Sequence, residues 1–77
     1  MAVGFVRSAI RSTRLVLVRP RSRAWWEVVT EDAGKPSCFG DRRLAISYAK
    51  MWAAANAPST VRVVGSSDLI EREWTFS

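Results

Sequence analysis

The sequence predicts a small α+β domain, an antiparallel sheet of four or five strands with one helix packed on one face, in the order β-β-β-α-β-β. Three observations lead there. At about 100° per residue, Leu44, Ala45, Tyr48, Ala49, Trp52 and Ala55 fall within one arc of roughly 140°, with Arg43, Ser47 and Lys50 opposite, so Phe39 to Asn56 reads as a one-sided helix. Short β-branched runs bounded by turn residues lie on both sides of it. With 77 residues the chain has the material for a single domain and a limited core.

Residues 1–13 form a basic leader ahead of the domain, which spans residues 14–77. As a helix the leader would set Arg7, Arg11 and Arg14 against Ala2, Val6, Ala9 and Ile10. Three readings of it stay open: a frayed or edge-packed extension, a phosphate-binding arm, and an organellar presequence, since Arg-rich, acid-free amphipathic leaders have that composition.

Arg14–Arg19 is the first strand, closed by Pro20, and Pro20–Arg23 is a turn. Ala24–Thr30 follows as a second strand, with Trp26, Val28 and Thr30 facing one way and Trp25, Glu27 and Val29 the other. Glu31–Pro36 is a reverse turn in which Gly34 can take a positive φ, and Ser37–Phe39 pairs back as a short third strand. Asp41 caps the helix because its carboxylate can accept from free N–H groups of the first turn, and Asn56 with Ala57-Pro58 supplies the stop. Thr60–Val64 alternates as a fourth strand, with Val61 and Val63 on one face. After the tight Gly65–Asp68 connection, Leu69–Phe76 puts Ile70, Arg72, Trp74 and Phe76 on one face against Leu69, Glu71, Glu73 and Thr75.

The net charge is +5, and its distribution matters more than its size. Residues 1–23 hold six arginines and no acid, whereas the rest of the chain is close to neutral. A nucleic-acid-binding domain usually carries its basic stripe on the folded surface, so the asymmetry weakens that reading for the domain itself. Cys38 is the only cysteine, which excludes an internal disulfide and a cysteine zinc site. The longest strictly apolar runs are far too short to cross a bilayer, so no membrane association is expected. Ten arginines against two lysines suggest GC-rich coding, hence a bacterial host and a cytoplasmic location.

Histidine is absent, which removes the commonest general base, the usual metal ligand and both Ser-His and Cys-His nucleophile pairs. No Gly-rich phosphate loop is present. Cys38, three residues before Asp41, reads as a small buried residue at a strand end rather than an activated thiol. Glu71 and Glu73 share a predicted strand face, as on any solvated edge. These residues predict no enzymatic activity, no cofactor, no metal and no small-molecule substrate. Arg42 and Arg43 occupy the first helical turn, where the macrodipole disfavours cations; either they bind an anion there or they are solvated and balanced by Asp41.

Four tryptophans, Trp25, Trp26, Trp52 and Trp74, are more than one helix readily covers. If Trp26 meets Trp52 under the helix, Trp25 and Val29 lie on the open face, and exposed aromatic area on a small domain marks an interface. Trp25, Val29 and Trp74 are therefore the interface candidates.

From about Leu15 to Phe76 the pattern resembles a family of short, mostly bacterial proteins catalogued as domain of unknown function 2188. The residues that carry the resemblance are Trp26-Glu-Val28, Phe39-Gly-Asp41, Ala45-Ile-Ser-Tyr-Ala49, Val61-Arg-Val63 and Leu69-Ile-Glu-Arg-Glu73. The family's hairpin usually has a glycine where this chain has Ser67-Asp68, and the arginine-rich leader is additional. The resemblance implies the fold and no activity.

The expected function is that of a non-enzymatic interaction module that self-associates as a dimer through the open sheet face or a sheet edge. The alternative is nucleic-acid binding, with Arg7, Arg11, Arg14, Arg19, Arg21 and Arg23 as a phosphate-contacting arm, Arg42 and Arg43 as a further anion site, and Trp25 stacking on bases.

Overall fold

A computed structural model describes residues 13–31 and 34–77 of the chain. Strands β1 (Arg14–Pro20), β2 (Trp26–Thr30) and β3 (Ser37–Phe39) precede helix α1 (Arg42–Ala55), and β4 (Ser59–Val64) and β5 (Ile70–Phe76) follow it. They form one five-stranded sheet in the order β3-β2-β1-β4-β5.

The sheet is mixed, which corrects the expectation of an antiparallel one: β1 and β4 run parallel, Val16 beside Val61 and Val18 beside Val63. Chain direction explains this. β1, β2 and β3 alternate as an antiparallel meander, so β3 runs with β1. The helix then carries the chain back along the sheet, and β4 starts again in the direction of β3. Of the two free margins of the meander, β3 and β1, it pairs at β1, whose other side is taken by β2. β5 returns antiparallel beside β4.

The core lies between the helix and one sheet face. Val16, Val18, Val28, Val61 and Val63 point up from the strands, and Ala45, Ala49 and Ala53 come down to meet them, all essentially inaccessible. The buried arc of the helix is thus turned from the expected one by roughly 70°, at about 100° per residue. Leu44 is 59% exposed and Ala55 is exposed, whereas Ala53 is fully buried and Ile46 packs on the core. Small side chains let the helix backbone approach the valine surface closely, and bulkier residues go to the flanks. Tyr48 meets Phe39 of β3 on one flank, ring centres 5.3 Å apart. On the other, Lys50, expected in solvent, lays its ammonium 4.1 Å from the Trp74 ring of β5.

Both helix ends are satisfied locally. The Arg43 amide donates to Asp41 Oδ1 at 2.8 Å, the predicted cap. At the other end Asn56 Nδ2 donates to Trp52 O at 2.9 Å. The buried Ser59 hydroxyl shares its proton between Ala53 O at 2.7 Å and Asn56 O at 2.8 Å, so β4 begins one residue earlier than expected.

A β-bulge between Val63 and Val64 changes the faces of β5. Val63 pairs with Arg72 but Val64 with Ile70, so Glu71 is the extra residue. Arg72, Trp74 and Phe76 keep the predicted face, while Ile70 moves to the opposite one with Val64. Glu71 and Glu73 consequently do not share a face: Glu71 accepts from Arg42 at the helix start, and Glu73 from Arg62. Gly65 is buried beside the bulge, where a Cβ would run into the Glu71 carboxylate. In the same turn Asp68 has φ 65°, the left-handed conformation that a short polar side chain tolerates and where glycine is the usual choice.

The alanine stripe makes a sharp prediction about helix substitutions. Ala53→Leu forces the helix off the valines and should cost about 1–3 kcal/mol, whereas Leu44→Ala should stay within about 0.5 kcal/mol. Urea denaturation of the two variants checks both figures; equal losses would place the contact face elsewhere.

Candidate functional site

Topology brings several of the candidate residues to one end of the fold. β1 and β4 are parallel neighbours, so the turn after β1 (residues 21–25) adjoins the turn after β4 (residues 65–69). The helix runs against both strands, so its first turn starts at this same end, as the Arg42–Glu71 contact of 3.3 Å confirms. Arg19, Arg21, Arg23, Arg42 and Arg43 collect there with Trp25. Arg14 does not: it lies at the far end of β1, about 20 Å away at a strand rise of about 3.3 Å per residue. There its guanidinium donates to Asn56 Oδ1 at 3.0 Å. Arg7 and Arg11 lie outside the described residues. The arginines of the described chain therefore do not form one continuous arm.

Within the cluster the arginines differ in what holds them. Glu27 is the one buried acid among the described residues, 2% exposed, on the sheet face away from the helix. Arg19 Nε donates to its Oε2, and Arg21 Nη1 to its Oε1 at 3.2 Å. Burial alone would push the carboxyl pKa up, but the two guanidinium groups more than offset this and hold it below the ordinary carboxylate value. Arg42 is divided between Glu71 and the face of Trp26, 5.6 Å from the ring centre. Arg23 and Arg43 form no ion pair with any described residue.

The four indoles also separate. Trp26, Trp52 and Trp74 pack against the core, partly buried, under the helix side of the sheet. Trp74 lies between Lys50 and Arg72, whose guanidinium carbon is 5.3 Å from the ring centre. Such cation–ring contacts contribute about 0.5–1 kcal/mol at exposed sites and shelter ring area a small core leaves open. Trp25 is the exception at 51% exposed. It precedes β2 rather than belonging to it: its carbonyl accepts from the Arg21 amide at 2.9 Å and closes the turn. Val29 lies half-buried on the face away from the helix, beside Leu17 of β1. Sequence reasoning missed the Arg19–Glu27–Arg21 arrangement, for which alternation around the turn was the available signal. It also placed Cys38 in the core; β3 is an edge strand, and Cys38, opposite Glu27 on the face away from the helix, is exposed.

Among the described residues no group of three or more metal-ligating side chains occurs, and no helix is long and apolar enough to cross a membrane. Comparison of the chain with family models, curated proteins and solved structures finds no match.

The Glu27 cluster predicts an acid-sensitive stability term. A carboxyl held below its unfolded pKa stabilises the fold fully above that unfolded value, about 4.3, and loses the contribution as pH falls through the folded pKa. Glu27→Gln should cost about 1–3 kcal/mol at pH 7, and the gap from the parent should narrow as pH falls below the unfolded value and close once the folded carboxyl is protonated. Denaturation across this pH range checks this; a gap independent of pH would mean that packing, not charge, holds Glu27.

Proposed function

We propose that this chain is a non-enzymatic interaction module that self-associates through the outer edge of β5. The observation that carries the reading is the asymmetry of the sheet margins. β3, at one margin, has three residues, whereas β5, at the other, has seven and, among the described residues, a neighbour on one side alone. A strand of that length presents a row of backbone donors and acceptors ready to pair with another chain. Exposed Leu69 and Ile70 adjoin it.

The residues of β5 favour one self-pairing. In a two-fold antiparallel arrangement each residue meets its mirror position. Centring on Glu73 would set two like charges face to face, which is unfavourable. Centring on Trp74 sets the two Trp74 rings opposite each other, Arg72 opposite Phe76 of the second copy, and Glu73 opposite Thr75. Trp74 thereby remains an interface residue at the margin of the helix-covered face. Trp25 and Val29 lie off this edge and are not part of it. The absence of histidine from the sequence supports a binding role over an enzymatic one. Membership of the domain of unknown function 2188 family and a cytoplasmic, bacterial setting belong to the same proposal and rest on motif and composition.

Light scattering of the pure protein should give twice the 8.6 kDa chain mass, and a monomer at high concentration would refute the reading. Thr75 is exposed, so charge can be introduced there without disturbing the core. Thr75→Glu should weaken the dimer about 2- to 30-fold by opposing Glu73 of the other copy in two symmetric pairs, and Thr75→Lys should strengthen it. Equal constants for both variants would move the interface elsewhere.

A further inference from the structure

We infer that the cleft between the β1–β2 turn and the β4–β5 turn receives a phosphate group of single-stranded nucleic acid, with an adjacent base stacked on Trp25. The cleft has a volume of about 340 Å³ and is lined by Pro20, Arg21, Ser22, Arg23 and Ser66. It exists because β1 and β4 are parallel neighbours that end side by side. In an antiparallel pair the two turns would lie at opposite ends of the sheet.

The lining is chemically one-sided. Arg23 has no carboxylate partner among the described residues, and Arg21 gives only one of its nitrogens to Glu27, keeping further N–H donors for an incoming oxyanion. Ser22 Oγ accepts from the Ala24 amide at 3.3 Å, so its own proton is free to be donated. The Ser66 hydroxyl has no hydrogen-bond partner among the described side chains. Glu27, the nearest buried acid, is already shared by Arg19 and Arg21, so the cluster of three stays net positive. Asp68 is the remaining acid of the two turns and does not line the cleft.

Trp25 selects among phosphate-bearing ligands. It closes the turn that forms one wall, its backbone is held by Arg21 and Ser22, and its ring is half exposed. An exposed indole carried by the same turn as a guanidinium-lined cleft, though not itself part of the lining, matches the alternation of base and phosphate along an unpaired strand. A duplex hides its base faces, and a phosphoserine or phosphothreonine side chain brings no planar ring. The site is independent of the β5 edge, so it can be tested whatever the oligomeric state.

The test is fluorescence anisotropy of the full-length protein with a labelled ten-nucleotide oligothymidylate, across a salt series. The parent should bind with an affinity that falls with salt. Trp25→Ala should lose about 5- to 150-fold, the range of one stacked base. Arg23→Gln should weaken binding and lower the salt slope by about 0.7, one phosphate contact on a single strand. Both residues are exposed; circular dichroism verifies their folding, and Ser66→Ala, expected to weaken binding as well, replaces either that fails. Three results would overturn the inference: no binding by the parent, binding unchanged in the variants, whether or not Arg7→Gln/Arg11→Gln abolishes it, or equal affinity for a phosphoserine peptide of matched charge.

Discussion

The close contact between three alanines and five valines governs the rest of the molecule. Ala45, Ala49 and Ala53 have no side chain beyond Cβ, so the helix settles almost directly on the β-branched surface of β1, β2 and β4. This contact sets the rotation of the helix, and the rotation decides where every larger side chain goes. Tyr48 reaches the β3 margin, Lys50 reaches the β5 margin, and Leu44 and Met51 face outward. In a chain this small the core has little area to spare, and a helix held further off by large residues would leave voids that destabilise it.

The helix is also the crossover that gives the sheet its mixed character. Because it returns the chain from β3 to the free side of β1, two turns remote in sequence become neighbours, and the helix start joins them. The arginine-rich turn after β1 thus faces the serine-containing turn after β4. Concentration of charge at one pole follows from strand direction and from no property of the arginines themselves. Arg14, only five residues from Arg19, lies at the other pole because an extended strand separates them.

Charged groups in this protein largely complete the packing. The guanidinium groups of Arg19 and Arg21 allow Glu27 to be buried on the sheet face away from α1. Lys50 and Arg72 flank Trp74, and Arg42 lies over Trp26. Long cationic side chains bury their stems over apolar surface and keep their heads in water, which suits a sheet on which, among the described residues, one helix must shelter several indoles. The expected surplus of uncovered indole narrows accordingly to Trp25.

Local pattern settled much of this protein. The α+β class, the order of elements, Asp41 as the cap, Asn56 as the stop and the inward valines of β4 all follow from residue spacing, because capping and alternation depend on neighbours a few positions away. Four features needed the tertiary structure: the parallel β1–β4 pair, the bulge that parts Glu71 from Glu73, the rotation of the helix toward Ala53, and the burial of Glu27. Each depends on which distant segment lies alongside, and periodicity within one segment carries no record of its neighbour. A helix with alanines all round can turn any of several faces inward, and the valines beneath it chose one.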